Sequence, residues 1–265
     1  MVSRVCFLIS AALGVGSTAH GETLLELGYR QMYNMQFDEA HRTFANWETA
    51  NPDDPLGPAS DAAAYLFTEF DRLHILQSEF FVHEEHFFTD HRLTPDPLMK
   101  QRFEAGLEKA VTLANRAPDE PNARFALVLA HGLRSDYLAL IEKRYLPAFK
   151  EMKVARALSE QLLATHSEYA DAWIAIGVEN YMLSLKPAAL RWLLRLGGGV
   201  TDRAVGLEKL RITADKGHYL APFARLLLAV AALREHQKDQ ARDILAELSK
   251  EYPRNPLYRE ELARL

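Results

Sequence analysis

Cysteine is almost absent from this chain of 265 residues: the single thiol is Cys6. From residue 22 onward there is none, so that part of the chain forms no disulfide and offers no thiolate nucleophile or zinc–thiolate site. No stretch after the N-terminal segment approaches 18 uninterrupted apolar residues, which excludes a sequence-evident transmembrane helix. There is no block of like positive charge either. Lys and Arg together number 31 against 36 Asp and Glu, a formal charge of −5, and this argues against nucleic acid as the main partner. Strand-like alternation of apolar and polar residues is missing. So are a Gly-x-Ser-x-Gly elbow and a dinucleotide-binding fingerprint. The triple glycine Gly197-Gly198-Gly199 is followed by no Gly-Lys-Ser/Thr and preceded by no strand, so it reads as a helix stop, not a phosphate loop.

What is present is ordinary globular material, 48% hydrophobic, 25% charged and 10% aromatic, enough for a sizeable core. The first residues are set apart from it. Arg4 precedes an apolar run from Val5 to Val15, and Ala19-His20-Gly21 then supplies small residues at the positions a signal peptidase reads. The expectation is a signal peptide over 1–21, a mature start near Glu22, and a periplasmic or secreted location. Small residues of a lipobox do not precede Cys6, so a lipid anchor is not expected. Removing the segment lowers Lys plus Arg from 31 to 30 against 36 acidic residues, a formal charge of −6.

The stretch Leu24 to Pro52 organises the rest. Leu27 and Gly28 share an apolar helical stripe, and Asn34-Met35-Gln36 is a turn. Phe37 opens a second run with Ala40 and then Phe44 four residues on, and Pro52 closes it. The interval from Ala40 to Pro52 recurs from Gly106 to Pro118 and from Ala241 to Pro253. Ser60 is placed as the cap of a helix from Asp61, and the apolar signal continues past Phe80 to end near Thr94-Pro95-Asp96-Pro97. Phe103 starts a further helix, Arg124 to Leu133 another, and Leu146-Pro147 interrupts before Phe149 to Thr165. Trp173 and Gly177 lie four apart, Pro187 to Leu196 is a short apolar helix, Asp202 to Lys216 follows, and the last unit runs from Pro222 to Asn255.

The pairing of a large residue with Gly in one helix, Ala and an aromatic four apart in the next, then Pro, resembles the tetratricopeptide repeat (TPR), a helix–turn–helix unit of about 34 residues. The resemblance, to exported TPR proteins of the bacterial type, spans most of 22–265 and is weakest over 55–100. It implies an all-α fold: one TPR-like solenoid domain over 22–265, a right-handed superhelix of about twelve helices, each burying its apolar face on its neighbours. It also implies a concave binding face lined by first helices. Carried onto this chain, the inward positions are Leu25, Tyr29, Met32 and Tyr33, then Phe125 and Leu129, then Ile174, Val178, Tyr181 and Met182. Leu25 and Tyr29 stand where chaperone-tail-binding TPR domains need Lys and Asn, so that activity is not implied.

Two other features invite a functional reading. His83, Glu84, Glu85, His86, Asp90 and His91 gather imidazoles and carboxylates, and His83 and His86 share a helix face. Their spacing is not that of the zinc proteases, since position 87 is Phe, and a solvated polar face is the competing reading. Over 185–196, Arg191 and Arg195 edge an apolar face of Leu190, Leu193 and Leu194, which is the layout of an interfacial helix or of a packed one. The leading expectation is a non-enzymatic, exported scaffold that binds a protein or peptide along its concave face, without cofactor, metal or nucleic acid. The alternatives are a membrane-peripheral or small-ligand-binding repeat protein and a metal-dependent enzyme at His83 and His86.

Overall fold

The computed structural model describes residues 22–76, 93–185 and 202–265. Among these there is no strand. The described residues form eleven α-helices: α1 (Leu24–Tyr33), α2 (Phe37–Ala50), α3 (Leu56–Arg72), α4 (Pro97–Ala114), α5 (Pro121–Asp136), α6 (Tyr145–Thr165), α7 (Trp173–Ser184), α8 (Arg203–Lys216), α9 (Ala221–Arg234), α10 (Lys238–Glu251) and α11 (Pro256–Arg264). A π-turn at Tyr137–Ile141 prolongs α5, and a 3-10 turn at Ala170–Ala172 leads into α7. Each helix packs most closely on one of its neighbours in the chain, with further contacts of α1 on α3 and α3 on α5. Residues 1–21, the His83–His91 cluster and 186–196 lie outside the described residues.

The helix starts follow from side chains that satisfy orphan backbone N–H groups. Thr23 and Glu26 form a reciprocal capping box on α1, with the Glu26 amide donating to Thr23 Oγ1 at 3.2 Å and the Thr23 amide to the Glu26 carboxylate at 2.7 Å. Asp96 accepts from the Leu98 and Met99 amides at 2.8 and 3.1 Å, and Pro97 occupies the first helical position, so α4 begins there and not near Phe103. α3 begins at Leu56 and not after Ser60, because Asp54 accepts from the Leu56 amide at 3.0 Å; Ser60 is buried inside the helix and donates to the Tyr29 hydroxyl. Pro147 does not interrupt α6. It sits in the first turn, where its missing N–H has no partner to lose. α11, which the repeat pattern did not place, is capped by Asn255.

Small residues set the crossings. A Cβ on Gly28 would overlap the Phe44 ring, and Ala40 and Phe44 are fully buried beneath it. Between α7 and α8, a Cβ on Gly206 would stand 2.6 Å from the Tyr181 backbone nitrogen. The turn Asn34-Met35-Gln36 has a counterpart at Glu235-His236-Gln237. Met35 and His236 both have φ of 59°, and in each turn the third residue's amide reaches back five residues, Gln36 to Gln31 O and Gln237 to Ala232 O.

The beginning and end of the described chain meet. The Tyr33 hydroxyl donates to the Tyr219 carbonyl at 3.0 Å, and Asn255 Nδ2 donates to the Tyr33 carbonyl at 2.9 Å. The Arg254 amide donates to Asn34 Oδ1 at 3.2 Å. The Tyr29 ring stacks on Tyr219 with centroids 5.0 Å apart, and Tyr219 in turn lies near-parallel to Phe125. A row of aromatic rings thus joins α1, the start of α9 and α5.

Candidate functional site

The residues expected to form an open concave face are covered. Leu25, Tyr29, Met32, Tyr33, Phe125, Leu129, Ile174 and Tyr181 are buried, and Val178 and Met182 are half-buried. The reason is the meeting of α1 with the last helices, which places Tyr219 and Asn255 over Tyr29 and Tyr33.

Six of the ten converge on one cavity of about 90 Å³, the space open to the centre of a water-sized molecule. Tyr29, Met32 and Tyr33 come from α1, Leu129 from α5, and Ile174 and Val178 from α7. The rest of the wall is supplied by Ala63 and Phe67 on α3, Met152 and Ala155 on α6, and Leu220 and Phe223 at the start of α9, with more of α5. Leu25, Phe125, Tyr181 and Met182 are not part of it. Phe125 belongs to the ring row with Tyr219 and Tyr169, and Tyr181 serves the α7–α8 crossing at Gly206.

The wall is apolar and aromatic. Tyr33 meets Phe67 edge-on at 5.8 Å, and Phe67 meets Phe223 edge-on at 5.7 Å. The hydroxyls of Tyr29 and Tyr33 are engaged with Ser60 and the Tyr219 carbonyl, and burial pushes both phenols up. Ser135 donates to the Ala148 carbonyl at 3.0 Å. Phe67, Gly132, Leu133, Asp136, Met152, Ala175, Val178, Leu220 and Phe223 keep some accessible surface, so solvent reaches the cavity along their side of the wall.

Two residues that the sequence reading passed over give the site its character. Gly132, in α5, has open space where a Cβ would point; no heavy atom outside its own turns of helix and its chain neighbours lies within 4 Å. Asp136, one helical turn further, lines the same cavity. Asp136 is half-buried by its surface area, and desolvation by the surrounding protein pushes its pKa up to about 7. Among the described residues no hydrogen bond or ion pair holds it. The signal was available: Phe125, Leu129, Gly132 and Asp136 fall on one stripe of α5, and a carboxylate ending an apolar stripe is out of place there. The π-turn that begins at Tyr137 follows Asp136 directly, and such turns recur at functional sites.

The buried carboxylates Glu69 and Asp171 are structural. Glu69 takes Arg72 Nε and the Asp96 amide, both at 2.8 Å, and joins the end of α3 to the start of α4. Asp171 accepts from the amides of His218, Tyr219 and Leu220 at 2.8–3.1 Å, capping α9 from the turn before α7; burial raises its pKa against these bonds. Glu179 lies 3.4 Å from Arg156. No helix among the described residues is long and apolar enough to cross a membrane. Comparison with family models, with curated proteins and with solved structures found no match.

Proposed function

We propose that this chain is a non-enzymatic helical-repeat protein that takes a small, mainly apolar ligand into the cavity walled by α1, α3, α5, α6, α7 and the start of α9. The observation that carries the reading is the unfilled space beside Gly132. Protein interiors are normally packed to crystal density, and glycine inside a helix costs ~0.5–1 kcal/mol relative to alanine. No neighbour requires glycine at this position, since a Cβ there meets nothing within 4 Å. A side chain at 132 would fill the space and stabilise the helix, whereas a ligand needs the space empty.

Of the sequence-based alternatives, a small-ligand protein is favoured over a scaffold that grips an extended peptide. A peptide groove needs its anchor residues accessible, and Tyr29, Tyr33 and Leu129 are covered. The same reading takes the helix pairs as TPR-like repeats wound into a right-handed solenoid, exported behind a signal peptide at 1–21 to the periplasm or beyond the cell. The matching turns at 34–36 and 235–237 and the packing of helices on their chain neighbours support the repeat part of this reading.

The test is a titration of the protein with n-butanol, followed by NMR of labelled methionine and isoleucine methyl groups. Saturable shifts are expected at Met32, Met152 and Ile174, and Gly132→Phe should remove them by occupying the cavity. If those methyls stay unmoved while the protein is folded, the proposal is wrong.

A further inference from the structure

Asp136 is the only charged side chain in the cavity wall among the described residues. The wall around it is otherwise apolar or made of polar groups already bonded elsewhere, as with Ser135 and the two tyrosine hydroxyls. The basic side chains nearest to it along α5 are also committed. Arg134 pairs with Glu104 on α4 at 3.4 Å, and His131 meets Glu151 on α6 at 2.6 Å. Beyond the π-turn, Glu142 is paired with Lys100 and Arg144. The carboxyl therefore faces an apolar space with no counter-charge supplied by the described chain.

An ionised carboxylate in such a place is costly unless a proton or a cation neutralises it. Its pKa of about 7 expresses that cost. A primary ammonium answers it best: three N–H donors can be shared with carboxylate oxygens in charge-assisted hydrogen bonds. The rings of Tyr29, Tyr33, Phe67 and Phe223 add faces that attract a cation and cover an apolar body. The volume limits that body. A dry cavity of about 150 Å³ holds benzene, so about 90 Å³ suits a few carbon atoms, with the solvent-reached side of the wall left for anything longer.

We infer that the cavity selects small organic cations, a primary amine on a short apolar body, with Asp136 as the residue that binds the ammonium group. This inference rests on the proposed ligand-binding function and adds the chemical class. The cavity alone would accept an alcohol or an amine of the same length, whereas the cavity with Asp136 discriminates between them and rejects an acid.

The experiment uses three probes of one length, n-butylamine, n-butanol and butyrate, titrated into the folded protein at pH 7.5 by calorimetry and methyl NMR. The expected order is amine tighter than alcohol by about ten- to a hundredfold, the span of a hydrogen bond to a charged group, with butyrate unbound. Asp136→Asn should bring the amine down to the alcohol's affinity and leave the alcohol's unchanged. This variant keeps the shape and removes a half-buried, unpaired charge, so it is expected to fold. If amine and alcohol bind equally to the wild type, or the amine keeps its advantage in Asp136→Asn, this inference fails while the ligand-binding reading stands. If none of the three binds, both fail.

Discussion

The helix pairs at the two ends of this molecule and those in its middle are joined in different ways. α1 to α2 and α9 to α10 are linked by three residues each, with the same left-handed backbone at Met35 and His236 and the same five-residue reach of the closing amide. The middle pairs are joined by longer connections. Where α3 leads to α4, buried Glu69 holds Arg72 and the Asp96 amide. Where α7 leads to α8, buried Asn180 accepts from the Asp202 amide at 3.3 Å. Between α5 and α6 the π-turn intervenes, and Ser135 reaches the Ala148 carbonyl. A short turn is closed by its own backbone, so local sequence suffices. A long connection has to be pinned by a buried polar side chain from the helix before it, at the expense of desolvating that group unless its hydrogen bonds are met. Asp136, whose bonds are not met, lies in this middle region.

Mutations can strain that contrast at graded strength. The largest effect is expected where the ends meet. Tyr33→Ala removes a buried ring together with its bond to the Tyr219 carbonyl, and should cost ~3–5 kcal/mol, read as a lowered denaturant midpoint. Tyr181→Ala, at the α7–α8 crossing, should cost a similar amount. If either variant kept wild-type stability, the corresponding packing would be wrong.

Asp136→Asn should act in the opposite direction. The folded protein holds the Asp136 proton up to about pH 7, whereas the unfolded chain releases it near 3.8. The folded state thus binds more protons in that interval, and this group's contribution to stability falls as pH rises from about 4 to about 7 and stays lost above. At pH 8 the asparagine variant should be the more stable, by up to about 4 kcal/mol. The gap between the two melting curves should close as the pH is taken down to 4. A constant gap across that range would show that burial does not perturb this carboxyl.

Overpacking the first crossing should have a moderate effect. Ala40→Leu or Gly28→Leu drives a side chain into Phe44 and should cost ~1–3 kcal/mol. Gly132→Ala is the counterpart in the middle and should be the smallest change of all. With nothing within 4 Å of the new methyl group, it is expected to stabilise by ~0.5–1 kcal/mol. If Gly28→Leu and Gly132→Ala shifted the melting temperature alike, the two glycines would not differ in the way their surroundings require.

Helical periodicity, the turn at 34–36 and the small-over-aromatic crossing of Gly28 on Phe44 were all readable in the chain, because each depends on residues within one helix pair. Helix starts were less legible. Asp54 and Asp96 cap α3 and α4 one to several residues before the apolar stripe becomes visible, so a reading based on that stripe set both starts too late. Asp171 was beyond such a reading, since it caps a helix some fifty residues further on.

The candidate site divides in the same way. Part of the inward stripe of α1, α5 and α7 was legible in sequence, because side-chain direction follows helical phase, but Leu25, Phe125, Tyr181 and Met182 do not line the cavity. Whether that stripe faces solvent or a closed space depended on where α9 and α11 come to lie, and that is a matter of the summed crossings of all the helices between. Only their meeting with α1 covers Tyr29 and Tyr33 and brings Leu220 and Phe223 to the wall that Gly132 and Asp136 also line. The chain itself determined that residue 136 carries a carboxyl group; the tertiary structure decided that this carboxyl lacks a partner, because desolvation and missing counter-charge are properties of the surroundings and not of the residue.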